Sequence, residues 1–184
     1  GGEYNAAPGS AIVYAGGVAR SNDGTRFTGP GTHTVSGDAR YVGTVQTGAM
    51  IFAGGTQFGG APGPSSKAIV QGPLGWTAGD LQGDWEIKSG SVVTASGAGN
   101  KRQVGGSIVN NGTVLWNAEA SFQGGNGASF TNNGLVDVTT DADIVHTFGG
   151  ASAFVNNGRL VKSAGAGDTS LANIALSNPG VLEV

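Results

Sequence analysis

One motif constrains this chain more than any other feature. Asn-Asn-Gly recurs with the same apolar flanks: Ile108-Val-Asn-Asn-Gly-Thr-Val, Phe130-Thr-Asn-Asn-Gly-Leu-Val and Phe154-Val-Asn-Asn-Gly-Arg-Leu, then Leu176-Ser-Asn-Pro-Gly-Val-Leu. Its glycines, Gly112, Gly134, Gly158 and Gly180, are 22, 24 and 22 residues apart. A near-constant period of that length marks a stacked repeat, in which one unit cannot bury its own apolar face and its neighbours cover it. Run backwards, the register gives Gly90 in Ile87-Lys-Ser-Gly-Ser-Val-Val. Weaker matches follow at Gly72, Gly48 and Gly31, with irregular steps of 18, 24 and 17.

The columns of this repeat carry the physics. Two residues after each glycine stand Met50, Leu74, Val92, Val114, Val136, Leu160 and Leu182, with only His33 departing from the apolar row. Four residues before the later glycines stand Ile108, Phe130, Phe154 and Leu176. The pairs Val114/Trp116 and Val136/Val138 alternate with the period of two expected of strands. A sandwich would place turns every 8–12 residues or so, without column identity. The pattern therefore predicts an all-β chain, a right-handed parallel β-helix (a β-solenoid) with about 22 residues per coil and roughly 7–8 coils. It is expected to be a single domain over 1–184, most regular over 86–184, with residues 1–40 as an N-terminal cap or irregular coils.

Asn110, Asn132, Asn156 and Asn178 fall two before the glycines and are expected to mark a corner. Stacked there, their amides can bond from coil to coil, while Gly112, Gly134, Gly158 and Gly180 are expected to supply positive φ. A second corner is expected at Gly105-Gly106, Gly124-Gly125 and Gly149-Gly150.

The repeats from Gly90 onward, about half the chain, resemble the β-helical exoproteins of Gram-negative bacteria, such as autotransporter passenger domains and filamentous-haemagglutinin-like adhesins. The resemblance implies a right-handed helix, a secreted or cell-surface location and roles in adhesion, matrix or filament formation. It transfers no functional residues, because such stems carry many unrelated functions.

Composition narrows the function classes. Charged residues are 11% of the chain, under half the roughly 25% of ordinary soluble domains, yet 38% are hydrophobic, which excludes a charge-driven disordered chain. The net charge of −3 and isolated basic residues such as Lys101-Arg102 argue against nucleic acid or an anionic membrane as partner. With no cysteine there is neither a disulfide nor a thiolate site. No apolar run approaches the ~20 residues of a membrane span. The Gly-Gly start, without a leader, reads as a mature or excised segment of a secreted protein.

Reactive residues do not cluster. His33 and His146 are far apart, so no zinc site is expected. Asp137, Asp141 and Asp143 form the densest acidic stretch and could hold Ca²⁺ weakly, although a polar turn explains them better. Asp137 and Glu183 share a column but with Val161 between them, too scattered for a glycosidase pair. No catalytic residue, cofactor or metal is expected. Trp76, Trp85 and Trp116 could form a sugar-stacking platform, but the apolar neighbours of Trp76 and Trp116 in their column favour the core. The strand-like runs Ala11, Ile12, Val13, Tyr14 and Val181, Leu182, Val184 are candidate assembly edges. The expected function is a structural or adhesive extracellular segment without catalysis. The alternatives are a self-polymerising filament subunit assembling head to tail, and a glycan-binding or carbohydrate-active β-helix. Its partner would be a second copy, or a host or cell-surface glycan or protein.

Overall fold

The computed structural model describes residues 1–60 and 66–184. Among these residues every regular element is a β-strand, and every strand pairing is parallel. Successive strands wind along three faces, so each face is a ladder of strands from consecutive coils. The first ladder runs from Glu3–Asn5 to Ala175–Ser177 in a nine-stranded sheet. A second runs from Ala11–Tyr14 to Val181–Glu183, and a third from Val18–Ser21 to Leu171–Ala172. Two long strands, Met50–Gly59 and Pro73–Gly83, pass from the second ladder to the third and join them into one fifteen-stranded sheet. The chain is a parallel β-solenoid of about eight turns.

The most regular columns stack as their spacing dictates. Ile108, Phe130, Phe154 and Leu176 are consecutive partners in the first ladder. In the second, His33, Met50, Leu74, Val93, Val114, Val136, Leu160 and Leu182 form one inward column. Val92 is not in it. It pairs with Pro73 and Thr113 and is half-buried, facing outward, while Val93 takes the core position. The corner before it is two residues longer than the Asn-Asn-Gly corner, with residues 88–91 between the partner positions Ile87 and Val92 where Asn111 and Gly112 alone separate Asn110 from Thr113. Ser91, not Gly90, therefore takes the place of Gly112, and counting from Gly90 lands on the wrong face; a slip of one residue inverts a strand's faces. His33, the apparent departure from the apolar row, is a true member and is fully buried.

The first forty residues are coils of the same kind. Glu3–Asn5 pairs with Thr25–Thr28, Ala11–Tyr14 with Thr32–Val35, and Val18–Ser21 with Asp38–Tyr41. Their repeat is faint in the sequence because the corners differ in length, the paired His33 and Met50 standing only 17 positions apart.

Aromatic stacking fills the interior. Phe130 lies flat on Phe154 at 5.1 Å, and Trp116 meets Trp76 and Phe122 edge-on at 5.9 and 5.5 Å. These arrangements add to area burial for rings in this distance range. The space left in the middle is about 40 Å³ and is lined without a polar side chain, room for little more than a water and offering it no partner.

Candidate functional site

The Asn-Asn-Gly corner holds the most organised polar chemistry in the molecule. Asn110, Asn132 and Asn156 are fully buried. Each donates through Nδ2 to Oδ1 of the Asn one coil ahead, at 2.8, 2.7 and 2.6 Å, ending on Asn178. The second Nδ2 proton of each goes to a strand carbonyl of that next coil, Leu135, Arg159 or Val181, at 2.9 Å in every case. For Asn132, Oδ1 also accepts from the Gly134 amide at 3.2 Å. All the bonding capacity such an amide can readily use is taken, so the cost of burying it is met.

A second ladder, unforeseen in the sequence reading, lies one residue further on at the surface. Asn133 Nδ2 donates to Asn111 Oδ1 and Asn157 Nδ2 to Asn133 Oδ1, each at 2.9 Å. These bonds run toward earlier coils, opposite to the buried row. The outer row ends on a charge, because Asn111 Nδ2 donates to Glu86 Oε1 at 3.1 Å. Glu86 is also paired with Lys67, whose hydrogen bond is the main reason its carboxyl sits below the ordinary value, with Asn111 adding to the effect. The doubling of Asn in the motif was the available signal.

The corner glycines act differently from expectation. Gly112, Gly134, Gly158 and Gly180 do not have positive φ. Glycine is required because the carbonyl of the glycine one coil earlier sits where a Cβ would be: Gly112 O against Gly134, and Gly134 O against Gly158. Those carbonyls are drawn there by accepting the amides of Leu135 and Arg159 at 3.0 and 2.8 Å. The second corner is also adjusted. Gly105, Gly106 and Gly149 are left-handed, but Gly124-Gly125 end the strand Phe122–Gly125, and the left-handed turn falls on Asn126-Gly127.

The third ladder places polar side chains inside. Lys101 is fully buried, with Nζ donating to the carbonyls of Gly97 and Gly99 at 3.1 and 2.8 Å. Desolvation holds its amine below the ordinary lysine value. Gln57 ties Gly37 O, Gly54 O and the Tyr41 hydroxyl together, and Gln103 bridges Gly106 O and Ser129 O. Burial pushes the Tyr41 phenol far up. At the N-terminal side, His33 Nε2 faces Thr28 O at 2.9 Å and Nδ1 faces the Tyr14 hydroxyl at 3.5 Å. These groups brace turns, and no cluster of three acidic, histidine or cysteine side chains suited to a metal occurs among the described residues.

The acidic stretch is dispersed. Asp137 accepts from Ser163 at 2.5 Å, Asp141 from Lys162 at 2.8 Å and the Gly167 amide at 3.0 Å, and Asp143 from the Ser170 amide at 2.7 Å. Glu183 pairs with Arg159 at 2.5 Å, and His146 Nδ1 lies 3.1 Å from Ser152 Oγ. Trp76, Trp85 and Trp116 are all buried, their indole N–H groups on Gly79, Gln82 and Ala120 carbonyls. They present no platform to a sugar. The candidate edges Ala11–Tyr14 and Val181–Glu183 lie at opposite ends of the second ladder, with Val13, Val181 and Leu182 exposed and Val184 outside the last strand.

Fold and site together define a parallel β-solenoid with amide-laddered corners. No protein-family model, curated protein or solved structure matches this chain. Among the described residues, no helix is long and apolar enough to cross a membrane.

Proposed function

We propose that this chain is a stem segment of an extracellular bacterial surface protein, structural or adhesive in role, that performs no reaction. One observation carries the reading: the inward-facing side chains are committed to stacking coil on coil. The apolar columns fill the interior, and among the described residues no buried side-chain nitrogen or oxygen lacks a hydrogen-bond partner. Enzymes keep reactive groups under-coordinated in a cleft so that substrate can complete them. Here the interior is closed, and among the described residues every acidic side chain but Glu119 and Asp168 is engaged by a protein donor. A rod that is stiff because each coil is bonded to the next suits a spacer or an adhesive stalk.

The test is made on the purified chain. Incubated with a panel of neutral and acidic polysaccharides, it should release no reducing ends above a boiled control; release would overturn the reading. Electron microscopy across a concentration series should show short particles of constant length. Filaments lengthening with concentration would instead favour head-to-tail pairing of Ala11–Tyr14 with Val181–Glu183 of another copy.

A further inference from the structure

Charge on this solenoid is sparse, and four ion pairs between neighbouring coils cancel part of it. Arg102 forks onto Asp80 at 2.7 and 2.8 Å, Arg159 pairs with Glu183, Lys162 with Asp141, and Lys67 with Glu86. Among the described residues, three ladder positions align two charged residues: Glu3 with Arg26, Asp80 with Arg102, and Arg20 with Arg40. Only the last joins like charges. Such a pairing is unfavourable when nothing lies between the charges.

The two arginines begin a straight row on the outer surface of the third ladder. Arg20, Arg40, Phe58 and Gln82 are partners on four successive coils. Arg20 is exposed, and its side chain takes part in no hydrogen bond or ion pair. Arg40 donates Nη1 to Gly60 O at 3.0 Å and spreads over the Phe58 ring at 5.0 Å. Nearby Asp38 is bonded to the Thr56 amide at 2.8 Å and bridges to neither arginine.

We infer that this row binds an acidic polysaccharide, a chain of carboxylate-bearing sugar rings, lying along the solenoid axis. Guanidinium groups suit carboxylates because their paired donors match the two oxygens. Phe58, half-buried and stacked against the Arg40 guanidinium, holds that fork in place, and the exposed Gln82 one coil on offers both donor and acceptor to hydroxyls. Coils about 4.8 Å apart repeat at close to the advance of one sugar along an extended chain, so successive rings meet successive coils. A peptide strand is disfavoured, because the row is a sheet face whose backbone is already paired rather than a free edge. Nucleic acid is disfavoured by the net charge of −3 and by a basic patch of only two residues. This goes beyond the structural reading of the stem and holds whether or not copies polymerise.

Calorimetric titration with polygalacturonate, dextran and inorganic polyphosphate tests it. Polygalacturonate should bind, dextran should not, and polyphosphate should be clearly weaker than polygalacturonate. Arg20→Gln, which breaks no side-chain hydrogen bond or ion pair within the protein, should weaken polygalacturonate binding about tenfold, the effect of one charge-assisted hydrogen bond. Arg40→Gln, checked for folding by circular dichroism, should do the same. Arg102→Gln makes the same charge change on the same face and should leave binding intact. No binding of polygalacturonate, equal binding of polyphosphate, or equal losses in Arg20→Gln and Arg102→Gln would each overturn the inference.

Discussion

The buried amide of Asn132 donates to Oδ1 of Asn156 across 2.7 Å, one coil to the next, in a direction opposite to the surface bond from Asn157 back to Asn133. Adjacent residues thus make two amide rows of opposed sense, one in the core and one at the surface. Burial sets what each is worth.

Asn132→Ala should be strongly destabilising, by about 3 kcal/mol, since it strands an Asn110 proton, Asn156 Oδ1 and Arg159 O in a dry corner at ~1–3 kcal/mol per buried group. Asn133→Ala, at the surface, should cost under about 1 kcal/mol, because water replaces the lost bonds. Urea unfolding of both variants decides the matter; equal losses would mean that burial does not set the ladder's strength.

Two glycine substitutions separate crowding from backbone conformation. Gly134 has no positive φ, yet a Cβ there overlaps the Gly112 carbonyl, so Gly134→Ala should split two coils and prevent native folding or cost several kcal/mol. Gly90 has φ of +82° and nothing within 4 Å of a Cβ. Gly90→Ala should fold and lose only about 1–2 kcal/mol, the cost of a left-handed non-glycine residue. Thermal unfolding followed by circular dichroism should rank them in that order.

Lys101 provides a signature in pH. Its amine is held below the ordinary 10.5 by desolvation, so between the folded value and 10.5 the unfolded chain binds more protons than the folded one. Stability therefore gains from this residue as pH rises through that window. Denaturant midpoints of the native chain should climb relative to Lys101→Met as pH increases toward 10.5. Parallel curves would show that Lys101 is not buried as a charge.

Glu86 behaves in the opposite sense. Its carboxyl is lowered from 4.5, first by Lys67 and also by Asn111, so the stability it lends is present above pH 4.5 and lost as pH falls through the folded value. The pair is largely solvated, which keeps the effect below about 1 kcal/mol. Glu86→Gln should flatten the acid limb of a stability–pH curve by that small amount, and an unchanged limb would remove Glu86 as the terminus of the outer amide row.

Tryptophan fluorescence tests the core directly. Trp76, Trp85 and Trp116 are 3–4% exposed, so native emission should be blue-shifted and iodide should barely quench it. Strong quenching by iodide would reopen the sugar platform.

The sequence by itself determined the architecture wherever its corners keep a constant length. Ile108, Phe130, Phe154 and Leu176 stack as their spacing dictates, because a corner of fixed length returns the chain to the same phase. The Asn column was legible for the same reason, since an amide repeated at one corner has its own copy as its nearest partner. Only the tertiary structure decided the rest. A corner two residues longer, at 88–91, put Ser91 in the place of Gly112 and so left Val92 outward and Val93 inward, a shift that composition cannot reveal. The glycine requirement at Gly134 comes from the carbonyl of the coil below, not from local φ, so it exists only once coils are stacked. The alignment of Arg20 with Arg40 likewise appears only in three dimensions, because unequal corners decide which side chains 20 residues apart in sequence become neighbours on one face.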